Sequence, residues 1–131
     1  MPTIHHIALW TLRLEVLKQF YTQYFEGICG PLYINPKTQF SSYFITFEGG
    51  ASLEIMSKTG IQDTPITNKS KGLAHLAFSF ANKTEVQRQT ASLREAGYTI
   101  VGEPRTTGDG YYESVILDPD GNYVECIYKG I

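Results

Sequence analysis

Apolar and polar positions alternate between two periods along this chain, and the alternation is written twice. Ile4-His5-His6-Ile7-Ala8-Leu9-Trp10 is a short apolar run that reads as a strand. From Leu12 to Phe25, Val16, Leu17, Phe20, Tyr21 and Tyr24 recur at helical spacing. Strand-like stretches follow at Ser42 to Phe47 and Ala51 to Ser57, and the strand bordering Gly27–Pro36 has the faintest pattern. The second half opens on Leu73-Ala74-His75-Leu76-Ala77-Phe78 and continues into a helix over about Thr84 to Ala96. Val86, Leu93 and Ala96 form its apolar face, Asn82 with Glu85 resembles a capping box, and Gly97 closes it. Tyr98 to Val101, Tyr112 to Leu117 and Tyr123 to Tyr128 then read as strands, with a strong turn at Asp118-Pro119-Asp120-Gly121 between the last two.

Each half is therefore a β-α-β-β-β module, the first over about residues 1–60 and the second over about 72–131. The polar stretch from Ile61 to Lys71 links them, so the chain reads as one α+β domain spanning 1–131. An offset of 71 residues lays Glu54 on Glu125 and Gly50 on Gly121, and an offset of 69 lays His6 on His75. Strand alternation puts His6 with Ala8 and Trp10, Glu54 with Ser52 and Met56, and Glu125 with Tyr123 and Ile127. His5, Ile7 and Leu9 take the opposite face, as do Leu53 with Ile55 and Val124 with Cys126, where the helices are expected to pack.

Composition narrows the class without changing this picture. The net charge is −2 and no Lys/Arg cluster is present, so no electrostatic footprint for nucleic acid exists. No window is long and apolar enough to span a bilayer, and Met1 to His6 reads as the approach to a strand rather than a secretion signal. Cys29 and Cys126 lack a disulfide or CxxC pattern and read as reduced core thiols of a cytoplasmic protein. On that reading the sequon Asn68-Lys69-Ser70 is accidental.

The chemistry sits in the repeat. A buried charge is expensive unless it is paired or bound to a metal. A lone histidine on a strand is more often a hydrogen-bonded structural residue, but His6, Glu54, His75 and Glu125 recur in register across two modules. Two imidazoles and two carboxylates are an N/O ligand set for a divalent metal. His5 reads as a packed residue or as support for His6. Tyr111, Tyr112 and Trp10 are candidates for a pocket wall or for core, Gly108-Asp109-Gly110 for a loop near the site, and Arg105 for an anion contact or a solvated face.

These residues resemble the vicinal oxygen chelate superfamily, which includes glyoxalase I, extradiol dioxygenases, fosfomycin-resistance proteins and methylmalonyl-CoA epimerase. The likeness rests on His-His-Ile-Ala at 5–8, Gly-Leu-Ala-His-Leu-Ala-Phe at 72–78, and Asp-Pro-Asp-Gly-Asn at 118–122 followed by Glu125. It implies two β-α-β-β-β modules forming a curved mixed sheet around a metal, held by His6, Glu54, His75 and Glu125. Glutamate at 54 resembles the glyoxalase I pattern, whereas dioxygenases and fosfomycin-resistance proteins carry a non-ligand there. Glyoxalase I typically has an arginine four residues after its first histidine, and this chain has Trp10.

The resemblance implies a metal-dependent lyase or isomerase acting on a small molecule with vicinal oxygens. Zn or Ni would serve, with Fe, Co or Mn as alternatives. Glu125 would carry proton transfer, with Glu54 assisting. A two-module chain of this kind is expected to form a homodimer. Two other readings share the fold: a non-catalytic antibiotic-binding protein, and an Fe(II) dioxygenase in which Glu54 is a bystander.

Overall fold

Strand pairing in the computed structural model, which describes residues 1–130, follows one scheme twice. The first unit, Met1–Thr64, contains β1 (His6–Trp10), α1 (Leu14–Tyr24), β2 (Ile28–Cys29), β3 (Tyr33–Asn35), β4 (Phe40–Thr46) and β5 (Ser52–Ser57). The second, from Pro65 onward, contains β6 (Leu76–Ser79), α2 (Lys83–Glu95), β7 (Ile100–Thr106), β8 (Tyr111–Leu117) and β9 (Tyr123–Lys129). The strands form two mixed sheets, one per unit, in the orders β1-β5-β4-β2, with β3 also on β4, and β6-β9-β8-β7. In each unit the first and last strands pair in parallel and the remaining neighbours are antiparallel. This is the expected α+β architecture, with the second strand of the first half broken into two short pieces, β2 and β3.

One helix covers one face of each sheet. In α1, Leu17, Phe20 and Tyr21 are fully buried at spacings of three and four residues, and the helix lies on β4 and β5, which bury Ile45, Leu53 and Ile55. Each such side chain contributes roughly 1.5–3 kcal/mol by leaving water. Val16, assigned to that face from its spacing, is 41% exposed. The α2 helix buries Val86, Thr90 and Leu93 over Ile116, Val124 and Cys126. The Thr90 hydroxyl bonds the Val86 carbonyl and the Ser114 hydroxyl, both at 2.7 Å, so the buried polar groups at this seam satisfy one another.

The helix ends follow the sequence signals closely. Asn82 Oδ1 accepts the Glu85 N–H at 2.8 Å, while the Glu85 carboxylate turns outward to Arg88 instead of completing the capping box. At the other end Gly97 has φ +94°, and the Gly97 and Tyr98 N–H groups donate to Arg94 and Leu93, closing a Schellman turn. Gly27 serves a different purpose after α1: a Cβ there would stand 2.4 Å from Ile45 Cγ2.

The turn joining β8 to β9 is built on Asp118, which is buried. Its carboxylate accepts the N–H groups of Asp120 and Asn122 and the Asn122 amide, each at 2.9 Å, and Gly121 supplies φ +93°. That network ends just before β9 starts at Tyr123, two residues ahead of Glu125, and so sets which way Glu125 faces. No described helix is long and apolar enough to cross a membrane.

Candidate metal centre

Burial along the strands reproduces the face assignment made from alternation. Leu53 and Ile55 are buried toward α1 while Ser52, Glu54 and Met56 are half-buried on the side away from it. Val124 and Cys126 are buried toward α2 while Tyr123, Glu125 and Ile127 take the other side. Cys126 is a free thiol there, pushed up to about 12 by burial, which keeps it protonated and unreactive.

Each unit pairs its own histidine with its own glutamate. In the first, His6 Nε2 lies 3.6 Å from Glu54 Oε1. In the second, His75 Nε2 lies 3.3 Å from Glu125 Oε1. The register explains both distances. Glu54 is opposite Ala8, and Glu125 is opposite Ala77, so each carboxylate lies across from the residue two beyond its histidine. Both glutamates are the more covered partners, at 14% and 19% exposure against 37% and 41% for the rings.

Two donors that each approach a common ion at about 2.1 Å lie about 3.0 Å apart at a right angle and about 3.4 Å apart at a tetrahedral angle. Both His–Glu pairs are close to this range, so each fits as half of a ligand set. Within either unit, among the described residues, no third His, Cys, Asp or Glu joins the pair in a metal-binding group.

His5 does not pack under the helix as its strand position suggested; it is exposed and precedes β1. Its Nδ1 is 2.8 Å from His6 Nδ1. One of the two nitrogens carries the proton, and the contact leaves His6 Nε2 directed at Glu54. A partner on the far ring nitrogen fixes the ligating tautomer, which is the ordinary support of a metal-binding histidine. The Phe44 ring closes the other side of His6, with centroids 5.1 Å apart.

Glu113 belongs to the second unit's site and was not singled out from the sequence. Glu113 and Val115 lie on the same side of β8, and Val115 is opposite Glu125. Burial pushes the Glu125 carboxyl above its ordinary range, His75 pulls it back, and the negative charge and hydrogen bonding of Glu113 push it up again. A charged residue between Tyr112 and Ser114 in an otherwise apolar strand was the available signal.

The sequence pattern of the Glyoxalase/Bleomycin resistance protein/Dioxygenase superfamily matches residues 3–126. The chain belongs to that superfamily. Comparison with curated proteins finds no match. Among solved structures it is similar to a glyoxylase/bleomycin resistance protein/dioxygenase domain from Frankia sp. EAN1pec, at 18% identity and TM-score 0.85, covering 99% of both chains. It is also similar to the trypanothione-dependent glyoxalase I of Leishmania major, at 18% identity and TM-score 0.79, covering 98% of this chain and 88% of that one. Glyoxalase I from Zea mays aligns at 20% identity and TM-score 0.80, and the alignment takes in 98% of this chain but 45% of the maize chain. At these identities the likeness establishes the fold.

Other residues singled out from the sequence fall as follows in this superfamily member. Trp10 is not core: it is 42% exposed on the same face as His6. Tyr112 faces α2, where its hydroxyl accepts from Gln87 Nε2 at 2.8 Å. Tyr111 lies on the Glu125 side, with Lys129 Nζ 4.8 Å from its ring. Gly108-Asp109-Gly110 forms the tight turn between β7 and β8, where the Thr107 hydroxyl holds Asp109 below the usual carboxylate range. Arg105 is exposed and opposite Glu113 in the register.

Proposed function

We propose that this protein is a metal-dependent lyase or isomerase of the glyoxalase I type. His6, Glu54, His75 and Glu125 would together hold one divalent cation, Zn or Ni by preference, with Fe, Co or Mn as alternatives. The reading is carried by one observation: both units aim an imidazole and a carboxylate at each other with the same strand register. Two half-sets of identical construction supply the four donors of an N/O site.

When bound, the cation supplies positive charge to two adjacent oxygens of the substrate, lowering the cost of negative charge that develops there. The chain's own part is proton transfer. Glu125 takes the proton from the carbon beside the carbonyl and returns it to the neighbouring carbon, and Glu54 is the second carboxylate able to accept it. General bases work best with a pKa near the operating pH. In the metal-free chain, burial and the Glu113 charge both raise the Glu125 carboxyl above its ordinary range.

A dioxygenase site would leave Glu54 idle, yet Glu54 is set against His6 as Glu125 is against His75, which supports the lyase reading. Trp10 stands where the glyoxalase I pattern has arginine for the glutathione carboxylate, so a different thiol partner, or none, is expected. The test is turnover by protein loaded with Zn, Ni or Co. Methylglyoxal is offered with glutathione and then with other thiols. Turnover of any pair supports the assignment, and no turnover of all of them contradicts it.

A further inference from the structure

The first unit's sheet carries a second feature on the His6 face, farther along the same strands. Trp10, Phe40 and Tyr33 form a chain of ring contacts, Trp10 to Phe40 at 6.2 Å and Tyr33 to Phe40 at 6.1 Å. Lys58 Nζ stands 4.8 Å from the Trp10 ring. Trp10 and Tyr33 remain 42% and 55% exposed, and Phe44, which touches His6, is 38% exposed. Trp10 is opposite Met56 and Phe44 is opposite Glu54, so one continuous face runs from the His6–Glu54 pair to this aromatic wall. Four residues of strand put the wall about 13 Å from His6.

The fold does not require this arrangement. The repeat lays Phe40 on Tyr111 and Lys58 on Lys129; in the second unit the lysine stands over Tyr111, the Phe40 equivalent, while in the first it stands over Trp10. The second unit places Ser79 where the first places Trp10. The exposed indole is therefore a specialisation of one half. Exposed rings with an ammonium group standing over the indole are complementary to an aromatic ring that bears an anion, through ring contacts and a charge contact.

We propose that Trp10, Phe40, Tyr33 and Lys58 form a specificity subsite for the aromatic, carboxylate-bearing end of the substrate. Resting on the metal-site reading, this subsite favours those substrates whose vicinal oxygens reach the His6–Glu54 end while an aromatic, carboxylate-bearing end lies on the wall.

Trp10 is the chain's one tryptophan, so its emission reports the subsite directly. The probe is 3-phenylpropionate, which lacks the vicinal oxygen pair, compared with propionate and with 3-phenylpropan-1-ol. The expected result is a saturable change in Trp10 emission with 3-phenylpropionate, none with propionate, and weaker binding of the alcohol. Lys58→Met should weaken 3-phenylpropionate about threefold, the scale of one partly exposed charge pair, and leave the alcohol unchanged. The affinity should be the same before and after treatment with a chelator, so this result stands apart from the fate of the metal site. Four outcomes overturn the proposal: no saturable change, equal response to propionate, loss of binding with the chelator, or no effect of Lys58→Met. A Trp10 that acrylamide cannot quench in the free protein overturns it as well, because a second copy of the chain then covers the face.

Discussion

Glu54 Oε1 lies 3.6 Å from His6 Nε2 because parallel pairing sets the carboxylate opposite Ala8, two residues beyond the ring. The second unit repeats the relationship with Glu125, Ala77 and His75 at 3.3 Å. Strand register alone thus brings together residues far apart in the chain. It also keeps both carboxylates on the side that the helices leave free. Repetition of a polar pair at equivalent places in two units is hard to explain by core packing, which the opposite faces of the same strands already provide.

Replacing Glu125 with Gln keeps the size of the side chain and one oxygen donor but removes the basic carboxylate. Turnover on whichever substrate is accepted should fall about a hundredfold or more, the usual contribution of a general base. Metal content should fall much less. Full activity of Glu125→Gln would move the proton transfer to Glu54, whose Gln variant is then the one to assay.

In metal-free protein, Glu125 should hold its proton to higher pH than an ordinary carboxylate, chiefly through burial. A carboxyl whose folded-state pKa is raised stabilises the fold while protonated, and that contribution is lost as pH rises through its titration. Carbon-detected NMR of the glutamate carboxyls should show the raised midpoint, and Glu113→Gln should lower it. An unchanged midpoint in Glu113→Gln would show that burial and His75 alone govern Glu125.

Asp118→Ala removes a buried acceptor that serves three N–H groups in a part-buried turn. Charged hydrogen bonds contribute about 1.5–3 kcal/mol each at most, and some of these donors can find water, so a loss of about 3 kcal/mol in unfolding free energy is expected. Urea unfolding measures it. Because the turn sets the direction of β9, the variant should also bind metal less well at temperatures where it remains folded.

Much of this was legible in the sequence for a physical reason. Alternation has a period of two, so once Leu53 and Ile55 are assigned to the core, Glu54 has one side left, and the same logic fixes Glu125 from Val124 and Cys126. Asn82, Gly97 and the Asp118–Gly121 turn were readable because their geometry depends on a few adjacent residues. Val16, His5 and Glu113 were harder. Helical spacing marks a stripe but not its edges, and Val16 falls outside the contact with β4 and β5. His5 sits just before its strand begins, where alternation no longer decides what is covered. Glu113 acts on Glu125 across a strand pair, a neighbour relation that exists only once the β8–β9 register is formed. The break into β2 and β3 is likewise tertiary, since both short strands take their pairing from β4.

A homodimer is expected from the two-unit architecture, with two metal sites per dimer. Light scattering at micromolar concentration should return the mass of two chains, and the mass of a single 14.7 kDa chain would contradict it.

The central claim is that the duplicated His–Glu pairs are a metal site. It is tested most directly by measuring the metal content of protein purified without a chelator, as wild type and as the His6→Ala/His75→Ala double variant. The account predicts about one divalent ion per chain in the wild type, held by the four N/O donors, and little or none in the folded double variant. A folded double variant that retains the wild-type metal content would contradict it.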